Sequence, residues 1–211
     1  MARKQEQRSE ETRKSILHAA GKLFREQGYS NVTIREIAKD AGCSHTAIYI
    51  YFNDKETLLH ELAMPLLQEL KVNLEQLSLQ ADLSSSEKLK AISFEFIHFS
   101  LLNQSMYTTL INANASRVDI KDPDLEINKL RNALFGLWME VIQSSLPKTE
   151  SKDLLAFTRI FFYTIHGIVT TYLNHEEVLS ELLERLSPTF DTAVDVLLLG
   201  FNEKSELKRE K

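Results

Sequence analysis

Residues 33–59 read TIREIAKDAGCSHTAIYIYFNDKETLL, and the fold turns on how this stretch is punctuated. Thr33 followed three residues later by Glu36 has the form of a capping box, in which each side chain answers the other's backbone N–H at a helix start. Ile34, Ile37, Ala38 and Ala41 then recur at helical spacing. Gly42 falls where the chain must turn sharply, because glycine takes a positive φ without steric cost. Ser44 is a good N-cap for a second helix, His45 to about Phe52, and Asn53 with Glu56 reads as a box-like start for a third. Two short helices joined by a three- or four-residue glycine turn define a helix-turn-helix, a unit that reads DNA.

The same residues carry a resemblance. Thr33, Ile37-Ala38, Ala41-Gly42, Ser44, Tyr49, Tyr51-Phe52, Lys55 and Leu58, with the preceding Gly28-Tyr29 turn, resemble the tetracycline-repressor (TetR) family of bacterial regulators. The resemblance covers roughly the first quarter of the chain. Cys43 departs from the family's small aliphatic, and Thr46-Ala47 from a frequent Gly-Thr pair on the DNA-facing turn. The fold implied is all-α, with an N-terminal three-helix DNA-binding domain (1–53) and a C-terminal helical effector-binding and dimerisation domain (54–211). The partners implied are a double-stranded DNA operator, a second copy of the chain and an unidentified small-molecule effector. The family habit is repression relieved by ligand.

Composition agrees with that class. With 211 residues, six Gly and four Pro, the chain suits a helical protein with short connections. A single Cys excludes an internal disulfide framework. No apolar run reaches about 18 residues and the polar N-terminus is no signal peptide, so a soluble, cytoplasmic protein away from the membrane is expected. The net charge of −5 is uneven: residues 1–52 hold nine Lys/Arg against six Asp/Glu, and residues 53–211 hold sixteen against twenty-four. A mildly basic end beside an acidic remainder fits a protein that meets phosphates at one end only. HExxH, CxxC, GxSxG and phosphate-loop patterns are all missing from the sequence. Catalysis, a cofactor and a metal are therefore not expected; a helical interaction module or a constitutive DNA binder is the competing reading.

Outside the decisive stretch, the pattern predicts a helix from about Ser9 to Gln27, its stripe Ile16, Ala19, Ala20, Leu23 and Phe24 packing on Ile34, Ile37, Ile48 and Phe52. Arg3, Lys4 and Arg8 read as a solvated tail or as an arm near the DNA backbone. From Asp54 a leucine row (Leu58, Leu62, Leu66, Leu70, Leu74, Leu77) predicts one long helix, kinked or broken near Met64 by Pro65, either as a hinge or as a static bend. Ser84 and Glu87 form another capping box, opening a helix apolar nearly all round and hence a central strut. A short helix over 106–115 and a polar loop over 117–121 follow, and then a helix capped by Asp122-Pro123. In 153–174 two apolar stripes are legible: Phe157, Ile160, Phe161, Ile168 and Tyr172, and Leu155, Phe162, Val169 and Leu173. A short helix over 176–186 and a final helix from Ser187-Pro188 complete the reading.

Functional residues follow from these placements. On the second short helix, Ser44, His45, Thr46 and Tyr49 are placed to meet bases and phosphates. Ala47 offers only apolar contact, and Ile50 either does the same or packs. Tyr51, Lys55 and Thr33 are expected on the DNA backbone. No Arg or Lys lies on this turn to read guanine, so recognition should lean on dimeric spacing and DNA shape. His98, Tyr107, Asn112, Trp138 and His166 are candidate effector contacts, with Tyr163 a further polar tip in an aromatic interior; for each His a core role is the plainer alternative. The family dimerises through its last two long helices, which implies a homodimer contact by Phe157, Ile160, Phe161, Ile168, Phe190, Val194, Leu197 and Phe201.

Overall fold

The computed structural model describes residues 2–112, 123, 125–146 and 149–209, the side chains of 2–4, 109, 110, 112, 208 and 209 excepted. Among these residues the fold is all-α, with helices α1 (Ala2–Gln27), α2 (Ile34–Asp40), α3 (His45–Tyr51), α4 (Lys55–Ser78), α5 (Ser85–Leu102), α6 (Gln104–Asn112), α7 (Glu126–Ser144), α8 (Ser151–Tyr172) and α9 (Leu179–Arg209). The chain forms two compact units. Residues 1–67 with 105–113 make the first, and 68–104 with 114–211 the second. The division thus falls inside α4, not at its start, and α6 belongs with the first unit.

In the first unit, Ile16, Ala19, Ala20, Leu23 and Phe24 of α1 are buried with Ile37 and Ala38 of α2, Ile48 of α3 and the following Phe52. Helix α1 begins at Ala2, ahead of the expected Ser9; the side chains of Arg3 and Lys4 lie outside the described residues. Gly28 ends α1 at φ 79°, ψ 147°, a backbone region that is essentially glycine's alone. Gly42 turns the chain at φ 67°. Thr33 Oγ1 accepts from Glu36 N at 3.3 Å while Thr33 N donates to the Glu36 carboxylate at 2.8 Å. Ser44 Oγ accepts from Ala47 N at 3.1 Å. The start of α4 corrects the expected Asn53–Glu56 pairing: Asp54 Oδ1 accepts from Thr57 N at 2.7 Å and from its hydroxyl at 2.8 Å.

Neither Pro65 nor Pro188 ends its helix, which removes the break, though not the kink, expected near Met64. Helix α4 runs unbroken through Pro65, and the expected separate helices over 176–186 and after 187 are one helix, α9, with Pro188 inside it. An interior proline costs about 3 kcal/mol. Buried side chains on both flanks outweigh that cost: Ala63, Leu67 and Leu70 around Pro65, and Leu183, Leu186, Phe190 and Val194 around Pro188. The leucine row of α4 is only partly the buried one. Leu58, Leu70 and Leu74 are buried while Leu62 and Leu66 are half-exposed. At about 100° per residue, Ala63, Leu67, Leu70 and Leu74 share one face and Leu62 and Leu66 lie to its side.

The second unit is built around α5, which packs against α7, α8 and α9 and buries Leu89, Ile92, Phe96, Ile97 and Leu101. The Ser84–Glu87 capping box opens it as expected. Its buried Ser93 and Ser100 donate to the carbonyls of Leu89 and Phe96, both at 2.6 Å. Thr158 on α8 and Ser205 on α9 likewise serve themselves from the preceding turn, so these hydroxyls sit in an apolar core without loss. Helix α7 starts at Glu126. Pro123 is therefore not its first residue, and Asp122, like the loop expected over 117–121 and residues 113–115 of the short helix, lies outside the described residues.

The two stripes of α8 resolve differently. Leu154, Phe157, Phe161, Ile165 and Val169 form its buried face, while Ile160 and Tyr163 are exposed. Packing selected members of both stripes and added Leu154 and Ile165. Arg159 and His166 interrupt the apolar residues of α8, which by length and composition alone is able to cross a membrane; its apolar residues are those of a bundle helix packed on α5, α7 and α9.

The capping carboxylates give the fold a pH signature. The hydrogen bonds from the Thr33 backbone and hydroxyl hold Glu36 below the ordinary 4.5, those from the Ser84 hydroxyl and backbone do the same for Glu87, and the Thr57 backbone and hydroxyl hold Asp54 below 3.8. Each folded pKa lies under its unfolded value. Their stabilisation is therefore complete above about pH 4.5 and is lost as pH falls through the folded values. In urea titrations the midpoint is expected to fall below pH 4.5, and less steeply in a Glu36→Gln/Glu87→Gln variant. Equal slopes in the two proteins would show that these caps contribute nothing.

Candidate nucleic-acid interface

Seven residues are too few for an isolated helix in water, so α3 exists because it docks. Ile48 and Phe52 turn into the core, and Ser44 caps its first turn. At about 100° per residue, the positions left outward are His45, Thr46, Tyr49 and Ile50, and all four are exposed. Tyr49 is 52% and Ile50 77% exposed. Ala47 is half-buried at the edge of this face.

The structure separates the expected DNA contacts into outward residues and residues engaged within the chain. His45, Thr46 and Tyr49 are outward. Ser44 and Thr33 are exposed, but their hydroxyls serve as caps. The Tyr51 hydroxyl accepts a hydrogen bond at 3.1 Å from Ser9 on α1. Lys55 is the most heavily engaged of them. Its ammonium donates at 2.8 Å to the carbonyls of both Tyr29 and Val32 and lies 4.2 Å from the centre of the Tyr29 ring. Two of its three donors are thus used to tie the start of α4 to the turn between α1 and α2. Burial, with Glu56 and Asp54 nearby, pushes the Tyr29 hydroxyl above the usual 10.

Hydrogen bonds from a charged donor contribute about 1.5–3 kcal/mol, so Lys55→Met is expected to destabilise the protein by about 2 kcal/mol, read as a lower urea midpoint. A lysine that acted only on phosphate would leave the midpoint of the free protein unchanged.

An ion pair also braces the unit: Arg13 on α1 pairs with Glu61 on α4, and its guanidinium lies 5.4 Å from the centre of the Phe52 ring. Arg35 and Lys39 on α2 are exposed. Neither is marked as a contact by the sequence pattern, and Ile50, which that pattern left between apolar contact and packing, is exposed. Their signal was the phase of each helix relative to its buried residues.

The candidate effector contacts are less concentrated. Trp138 is 1% exposed and its Nε1 has no hydrogen-bond partner among the described residues. It lies among Phe96 at 4.8 Å, Phe162 at 5.8 Å and Phe161 at 6.2 Å, and His166 stacks on Phe162. His98 is not in the interior: its side chain is 42% exposed, with Nδ1 3.9 Å from Glu95. Tyr107 is buried in the first unit, Tyr163 is exposed, and the Asn112 side chain lies outside the described residues. Arg131, beside Asn128 on α7, is held down to about 10 by burial. Two open grooves in this unit have other linings, one Ser85, Ser144, Asp195 and Leu198, the other Leu77, Lys90, Phe94 and Asp191.

The expected dimer contact needs correction. Phe157, Phe161, Phe190, Val194 and Phe201 are buried in the unit's own core, and Phe157 stacks on Phe201 at 4.5 Å. Ile168 and Leu197 are half-buried. Of the expected contacts, Ile160 is the exposed one. The outward apolar residues of these helices are Ile160 and Tyr163 on α8 and Val196, Leu199 and Leu207 on α9.

A short helix docked on a three-helix core, capped at its turn and exposing its outer face, is the architecture of a helix-turn-helix transcriptional regulator. The profile of bacterial regulatory proteins of the TetR family matches residues 16–62. The fatty acid metabolism regulator protein of Bacillus subtilis (strain 168) is 30% identical over 166 residues, covering 77% of this chain and 84% of that protein. AcrR of Shigella flexneri is 48% identical over 62 residues, 29% of either chain. The fatty acid degradation regulator FadR of Bacillus halodurans shares the fold at a TM-score of 0.59 and 20% identity, over 86% of this chain and 93% of that one. The chain belongs to the TetR family of bacterial regulatory proteins: it is a DNA-binding transcriptional regulator of the helix-turn-helix class.

Proposed function

We propose that the protein is a homodimeric repressor, released from a palindromic operator when a small apolar molecule enters its C-terminal helical domain. The outer face of α3 carries the reading, with His45, Thr46, Tyr49 and Ile50 presented to solvent by a helix that Ile48 and Phe52 fix from behind. Arg35 and Lys39 on α2, and the third donor of Lys55, supply cations for phosphates flanking the groove. The exposed Ile160, Tyr163, Val196 and Leu199 support pairing through the outer faces of α8 and α9, since apolar surface of that kind is what a second copy would cover.

Similarity to a regulator of fatty acid metabolism supports an acyl-chain compound as the class of effector. The apolar ring cluster around Trp138 in the second unit, whose indole Nε1–H has no hydrogen-bond partner among the described residues, supports an apolar effector. Binding that favours one arrangement of the second domain would shift the population away from the DNA-competent form.

Footprinting of the purified protein on its own genome's fragments tests the reading. Protection of a two-fold symmetric site, weakened by salt and lifted by a long-chain acyl compound, is expected. Binding unchanged by free fatty acids and by their thioesters would leave a constitutive DNA binder, and a monomer bound to an asymmetric site would remove the dimeric reading.

A further inference from the structure

The outward face of α3 is divided along its length. His45 and Tyr49, one turn apart, form a polar and aromatic edge. Thr46 and Ile50, also one turn apart, form an edge that ends in methyl groups, continued by the half-buried Ala47. Ile50 is the most exposed large apolar side chain of the helix-turn-helix, at 77%. Lone exposed hydrophobes are ordinary on a protein surface, but this one stands on a seven-residue helix whose outer face has no Arg or Lys. Such a face cannot read guanine by the usual bidentate cation. In the major groove the apolar feature it can match is the C5 methyl of thymine.

We propose that Ile50 is a specificity-determining residue: its side chain packs on a thymine methyl in each half-site, with Thr46 completing the apolar edge. The inference rests on the reading of α3 as the groove-binding helix, and it assigns one base type to one side chain. The polar edge, His45 and Tyr49, is left to donors, acceptors and phosphate. Packing is selective here because only thymine carries a carbon at that position; cytosine, adenine and guanine present hydrogen or polar atoms.

The test uses the full-length protein and a random-sequence duplex pool. The wild type is expected to select a symmetric sequence with a thymine in each half-site whose replacement by deoxyuridine, which lacks only the methyl, weakens binding about fourfold. Replacement in both half-sites should weaken it about sixteenfold, because the two contacts are independent. Ile50→Ala should bind thymine and uracil duplexes equally, whereas Thr46→Ser should keep most of the discrimination. Since Ile50 faces solvent, Ile50→Ala should keep the wild-type urea midpoint, so lost discrimination is not lost folding. Equal binding of thymine and uracil duplexes by the wild type, or an unchanged ratio in Ile50→Ala, overturns the inference while leaving the DNA-reading role intact. Failure to select any duplex overturns both.

Discussion

Trp138→Ala is expected to remove about 3–5 kcal/mol of stability, among the largest losses any single substitution would cause here. The indole is 1% exposed and is the largest fully buried side chain. Its ring meets Phe96 of α5 and Phe161 and Phe162 of α8, so truncation opens a cavity bounded by three helices, and rings fixed on other helices cannot collapse into it. Trp138→Phe should cost much less. It keeps an aromatic ring in place and removes the Nε1–H, which has no partner among the described residues and whose burial carries a penalty of about 1–3 kcal/mol. Urea denaturation of the two variants distinguishes these contributions. Equal losses in Ala and Phe would mean that the indole nitrogen is satisfied and that its hydrogen bond, not ring packing, is what Trp138 contributes.

The second large effect compares two isoleucines on one short helix. Ile48 is fully buried and Ile50 is 77% exposed, though they are the same residue type two positions apart. Ile48→Ala should cost about 2–5 kcal/mol, while Ile50→Ala should stay within about 0.5 kcal/mol of wild type. The functional consequences diverge in kind. A seven-residue helix has little stability of its own, so removing its anchor loosens all four outward residues together, and Ile48→Ala should weaken binding to every duplex. Ile50→Ala should change preference and leave the fold alone. A gel-shift series with urea midpoints for both variants checks this. Sequence-independent loss of binding in Ile50→Ala, with an unchanged midpoint, would place Ile50 in general affinity and not in base choice.

The legible parts of this chain are those whose partners lie within four residues. Thr33 with Glu36, Ser44 with Ala47 and Ser84 with Glu87 formed as expected, and Gly42 took the positive φ that the turn requires. The periodicity of α1 also named its buried residues correctly. These follow from the sequence because backbone geometry brings such neighbours together in any context. The helix-turn-helix was therefore legible in residues 33–59, and its regulatory class was implied by the family resemblance of the same residues.

Tertiary structure decided the rest. No local pattern shows that the Lys55 ammonium is held by carbonyls 23 and 26 residues earlier. Tyr51 bonds Ser9 across 42 residues. Pro65 and Pro188 looked like breaks because their cost is local, while the burial that carries the helices through them comes from other segments. The same holds for α8, where either apolar stripe could have faced inward and packing on α5, α7 and α9 chose members of both. A side chain's type sets what it can bond; which partner it reaches, and whether Ile48 or Ile50 meets water, depends on distant chain brought alongside.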